Sequence, residues 1–182
     1  VVSLSGDRHA QFAAVVADDY ALPKPDYVIP EYVCTGISAF ARATNLTNAF
    51  RRLGIGEYAR AQLDGRGRPA CTLDATLTYG VDGTKALLAG EGKEALASIA
   101  ENGPNPGIHH SDMDSHGYLL ARFSEHSMQV EFVTMPGEPW NPDQRPAGPD
   151  PLRRTTFETP VWDPAEEPLI RFASQVGEPT LG

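Results

Sequence analysis

Two stretches of the chain, His116 to Phe123 and Met128 to Met135, alternate apolar and polar residues with the two-residue period of a strand. The polar link Ser124 to Ser127 joins them, so the pattern predicts an antiparallel hairpin. At the amino terminus Val1, Val2 and Leu4 predict a short buried strand over residues 1–6. Phe12 to Ala17 is apolar and too short for periodicity to separate strand from helix turn. Tyr27-Val28-Ile29 and Tyr32-Val33-Cys34 are aromatic and β-branched, which predicts strand on either side of a break at Pro30.

From Ala39 to about Leu63 the pattern turns helical, with Phe40, Leu46, Phe50 and Leu53 on one apolar stripe. Thr44 or Asn45 is placed to cap its second part, and Gly54 and Gly56 to end it. Cys71 to Tyr79 again has a strand-like period, Gly83 to Gly92 fits neither template, and Lys93 to Ala100 predicts a short helix. Asn102 to Pro106 is a dense turn signal. Pro136 to Gly182 is rich in proline and acidic residues, and reads as a tail, either wrapped on the body or partly disordered. Trp140 and Trp162 would anchor it. The chain thus divides at residue 135 into a body, 1–135, and a Pro-rich extended segment, 136–182.

Composition narrows the function classes. A chain of 182 residues holds one sizeable domain or two small ones, and its 16 prolines and 17 glycines favour loops and short strands over long helices. The net charge of −9 argues against non-specific nucleic-acid binding, which needs a basic face. An acidic protein can still act on anionic substrates if bound cations invert the local field. No apolar run is long enough for a membrane span, and no signal peptide is visible. Cys34 and Cys71 either pair or stay as thiols, and Asn45-Leu46-Thr47 fits a glycosylation acceptor.

The segment richest in chemistry is Ser5-Gly6-Asp7-Arg8-His9. The first strand turns on Gly6 and presents Asp7 and His9 at its carboxyl end. A carboxylate and an imidazole two residues apart on a rigid edge can ligate one metal ion or bridge two. A strand this early, with no Met or leader before it, reads as the point where a longer enzyme has been cut.

Strand-Gly-Asp-x-His resembles the last metal-binding motif of the metallophosphoesterases, and more closely that of the alkaline phosphatase D (PhoD-like) family. Two downstream segments add to the likeness. Asp26 to Ser38, ending in Thr35-Gly36-Ile37-Ser38, is similar to the family's strand and small-residue turn. Asn105-Pro106-Gly107-Ile108 followed by Gly117-Tyr118 is similar to its Asn-Pro-x-Ile…Gly-Tyr spacing. Gly107 departs from the bulkier residue often found there, and would give a roomier pocket if that position lines it.

The resemblance implies an α/β fold, a four-layered α/β/β/α sandwich of which this chain is the carboxyl-terminal part. It implies hydrolysis of phosphate mono- or diesters at a centre of iron and calcium, with Asp7 and His9 as metal ligands. It further implies a missing amino-terminal half that supplies the other ligands, and a periplasmic or secreted location.

Rival sites are weaker. His109-His110-Ser111-Asp112-Met113-Asp114-Ser115-His116 is dense in metal-ligating types, but adjacent histidines on an extended chain face opposite ways. Arg51-Arg52 and the Arg66, Arg68 pair can hold a phosphate, although such arginines usually face solvent. Gly80 to Lys85 lacks the spacing of a phosphate loop, and Ser3 and Ser5 lack a nucleophile elbow. The alternative from another class is a non-catalytic β-rich binding or interaction module, with Asp7 and His9 structural.

Overall fold

In the computed structural model, the residues described are 1–37, 39–52, 74, 76–77, 80–82, 84, 105–136 and 152–177. Their strands are β1 (Ser3–Ser5), β2 (Gln11–Ala17), β3 (Tyr27–Val33), β4 (Ile108–Asp112), β5 (Ser115–Phe123), β6 (Ser127–Pro136), β7 (Arg153–Pro160) and β8 (Arg171–Val176). Helix α1 spans Arg42–Arg51. The strands make two four-stranded sheets, ordered β1-β3-β2-β4 and β5-β6-β7-β8.

The second sheet is a meander in which each strand pairs antiparallel with the next. In the first sheet only β1 and β3 run parallel. The four-layered α/β/β/α sandwich is therefore overturned: the protein is mostly β, with two antiparallel-rich sheets. The reason is local. Consecutive antiparallel strands can be joined directly and need no crossover helix between them, unlike the parallel strands of an α/β sheet.

The sheets face each other across one apolar core. Ala13, Val15 and Tyr32 of the first meet Met128, Val130, Phe132 and Phe157 of the second, with Ile170 beside them. Phe132 and Phe157 meet edge to face, and Tyr32 lies tilted against Phe132. Tyr32 is fully buried, and its hydroxyl pairs with Thr159 Oγ1 at 2.7 Å, which stitches the two sheets together.

Strand β2 explains its own apolar run. Residues 11, 13, 15 and 17 are buried toward the second sheet, while Phe12 on the opposite face, like Leu77, packs against the cluster of Ala10, Ala43 and Met113. A strand covered on both faces needs no polar alternation.

Three expectations are corrected here. Pro30 does not break β3, because Val15, its partner on β2, donates to Gly107 on the far side at 2.8 Å. The Val15–Pro30 pair is thus a non-hydrogen-bonded one, and the proline nitrogen points toward β1, whose pairing begins only at Glu31.

Residues 74, 76 and 77 are helical, not strand. Asp74 Oδ1 accepts from Ser111 Oγ at 2.6 Å and from Met113 N at 3.0 Å, so it anchors this segment over the outer face of the first sheet. Within the segment read as a tail, Arg153–Pro160 and Arg171–Val176 are strands of the second sheet, and β7 is an interior one. The helical readings beyond residue 52, Cys71, the Arg66–Arg68 loop, Lys93 to Ala100 and Trp140 lie outside the described residues. No helix of the described residues is long and apolar enough to cross a membrane.

Candidate metal site

Asp7 and His9 follow β1 where it lies beside β3. Ser5 pairs with Val33, and the next backbone bond, Cys34 N to Ser5 O at 2.9 Å, carries the pairing into the Thr35-Gly36-Ile37 turn. Two of the three motif segments are thereby neighbours in space.

The turn is not made by Gly6, whose φ is ordinary. It is made by Asp7 and His9, with φ of 67° and 56°, the two non-glycine residues in the left-handed region among those described. A side chain there crowds its own carbonyl and costs about 1–2 kcal/mol, although Asp and His tolerate it better than most. Strain of this kind persists where surrounding contacts over-determine the backbone.

Those contacts are visible. His9 O accepts from Arg42 N at 2.6 Å, which ties the loop to the start of α1. His9 Nδ1 lies 2.7 Å from Phe40 O. A carbonyl only accepts, so Nδ1 donates to it, and in the neutral ring Nε2 is then the nitrogen left to ligate. That is how a protein fixes the tautomer and ring orientation of a histidine ligand. Asp7 is exposed and His9 half-buried, so both stand at the surface end of the sheet.

The first turn of α1 offers no anion site, since Arg42 N is taken by His9 O and Ala43 N by Met113 O at 2.8 Å. Ser3 and Ser5 both donate to Glu31 Oε1, at 3.2 and 3.4 Å, which occupies them as structural hydroxyls.

The His109–His116 cluster does not converge. His110 points into the core against Phe132 and Phe157, at ring separations of 5.5 and 5.3 Å. His109 lies on the other face, and burial pushes its pKa below the usual 6.5. Asp112 is ion-paired with Arg153, and Asp114 N donates back to Asp112 Oδ1 at 3.1 Å. Buried His116 donates from Nε2 to Ala39 O at 2.6 Å. Among the described residues, no group of three His, Cys, Asp or Glu side chains is placed to hold one ion.

Gly107 lines no pocket. A Cβ there would sit 2.6 Å from Val15 O and 2.8 Å from the Tyr27 ring, so glycine is required by close packing. Asn105 Nδ2 donates to Leu77 O at 2.8 Å and Asn105 O accepts from Ile108 N at 3.0 Å, making this motif a structural junction into β4. Cys34 carries a free thiol, with its pKa pushed up by burial despite a backbone hydrogen bond from Leu119. Arg52 is exposed, as expected of a solvated helix end.

Sequence reading missed Arg153, which pairs with Asp112 across the sandwich. The run Arg153 to Pro160, with Thr155, Thr156, Phe157 and Thr159, carried a strand signal in its residue types, though nothing local pointed to the partner of Arg153.

Comparison of the chain with protein-family models, with curated proteins and with solved structures finds no match. The likeness to PhoD-like phosphatases therefore stands on the motif residues themselves.

Proposed function

We propose that Asp7 and His9 are ligands of a metal centre and that the chain belongs to a metal-dependent phosphate mono- or diesterase. The observation that carries this reading is the pairing of a left-handed backbone at both residues with a His9 tautomer that leaves Nε2 open. The ordered likeness of three segments to the PhoD-like family supports it, and so does the spatial contact of the first two.

A carboxylate oxygen suits a hard ion and an imidazole nitrogen a borderline one, which fits the calcium and iron of that family. When bound, such ions supply Lewis acidity and neutralise the charge of the phosphoryl group. The protein's share is to hold the His9 ring by Phe40 O and to aim Asp7 from the same turn. Two ligands are fewer than a multinuclear centre requires, and in this reading an amino-terminal half of the same enzyme supplies the rest. The same reading places the enzyme in the periplasm or outside the cell.

The test is to co-express the chain with that amino-terminal half, then measure bound metal and turnover of p-nitrophenyl phosphate and its bis-ester. Asp7→Ala and His9→Ala should each lower turnover by about 100-fold or more, the upper range for losing even an outer partner of a metal ligand. Retained metal and turnover in both variants would show that the ligands lie elsewhere.

One observation favours a second reading, a non-catalytic β-rich module. The bonds from His9 to Phe40 and Arg42 also clasp the β1 loop to α1, a purely structural task. In that case the 182-residue chain unfolds in one cooperative transition without metal, and Asp7→Ala changes nothing but local stability.

A further inference from the structure

Gln11 opens β2 with its side chain fully buried, and among the described residues neither Nε2 nor Oε1 has a partner. Its cross-strand neighbour on β4 is Asp112, so both side chains rise toward the second sheet. There Arg153 Nη2 donates to Asp112 Oδ2 and, at 3.1 Å, to Ser115 Oγ. Arg153 in turn faces Thr134 across the β6–β7 ladder. Arg153 Nη1 and Thr134 Oγ1 are also buried without partners. The unpartnered atoms thus belong to three residues gathered around one ion pair, at one end of the sandwich.

Their chemistry selects the ligand. Gln11 Nε2 and Arg153 Nη1 each carry two N–H bonds, Gln11 Oε1 accepts, and the Thr134 hydroxyl does either. Such an excess of donors repels a cation. An anion would meet the Asp112 carboxylate beside it, which already neutralises the guanidinium. A small neutral molecule that both donates and accepts satisfies the set, and water is the smallest such molecule. Left dry, each atom would forfeit its hydration with nothing in return.

We propose that this end of the sandwich is a built hydration site, where ordered water molecules complete the hydrogen bonding of Gln11, Thr134 and Arg153. The waters then tie β2 of the first sheet to β6 and β7 of the second, independently of the Asp7–His9 chemistry.

The test uses the full 182-residue chain. The Gln11 side-chain amide protons should show nuclear Overhauser cross-peaks to water with the negative sign of a long-resident molecule. Absence of those cross-peaks overturns the proposal. Gln11→Met gives a second measurement with opposite expectations. In a hydrated site the substitution strips partners from the waters and lowers Tm by several degrees. In a dry site it removes an unsatisfied amide, so an unchanged or raised Tm overturns the proposal. Crystallographic density from anything larger than water would do the same. Should the variant fail to fold, the cross-peaks of the unaltered chain decide.

Discussion

His9, in the loop between β1 and β2, and His116, on β5, hold consecutive carbonyls of one loop, Phe40 O and Ala39 O, at 2.7 and 2.6 Å. The loop that positions His9 is thus itself positioned by a buried histidine at the start of β5. His116→Phe should leave the Ala39 carbonyl without its donor and cost about 1–3 kcal/mol in urea unfolding. In the metal centre proposed above it should also loosen His9 and weaken metal affinity, measured by titration. Lost stability with unchanged affinity would separate the two roles.

The Asp112–Arg153 pair joins β4 to β7 across the sandwich, with both side chains almost fully buried. Removing one partner leaves the other charge unpaired in the interior. Arg153→Met and Asp112→Leu should each cost about 3–5 kcal/mol, whereas the two together should recover most of that loss. A double-mutant cycle by chemical denaturation measures the coupling, and simple additivity would refute it.

Gly107→Ala places a methyl group against Val15 O and the Tyr27 ring. The backbone of β2 and β4 must part to admit it, at a cost of about 1–3 kcal/mol. Thermal unfolding should register the loss. Substrate preference should not move, because the position faces packing and not a pocket.

His109 gives an acid-side dependence. Burial holds its folded-state pKa below the usual 6.5, so within that window the unfolded chain binds a proton that the folded chain refuses. Stability from this group is complete above pH 6.5 and declines as pH falls toward the folded-state value. His109→Asn should flatten this part of the stability profile. An unchanged slope would assign it to other groups.

How much of this was legible in the residues depended on the range of the interactions involved. The β5–β6 hairpin was visible because four residues join strands whose alternation is local, and Ser124 N does bond Ser127 O at 2.9 Å. Asp7 and His9 announced themselves by residue type. Their left-handed backbone did not, because Gly6 beside them seemed to supply the turn. Pro30 was misread since the direction of its missing donor depends on how Val15 pairs, which only the assembled sheet decides. Asp74, Thr76 and Leu77 lie in a stretch that alternates like a strand, yet they are helical, and Asp74 is held by Ser111 and Met113, far along the chain. Arg153 sits 41 residues from Asp112, and no local pattern could have matched them.

The proline inside β3 has a consequence for where the candidate ligands end up. Strand β1 pairs with Glu31, Tyr32 and Val33 and meets Pro30 one step earlier. A ring nitrogen with no hydrogen gives the β1 carbonyls nothing to accept from there, so extending the pairing backward along β3 gains no hydrogen bond at that step. A slip of two residues would carry Asp7 and His9 about 6.6 Å from their place. Pro30 therefore marks the end of the β1–β3 pairing, and the register that starts at Glu31 sets how far along the sheet the Asp7–His9 loop emerges.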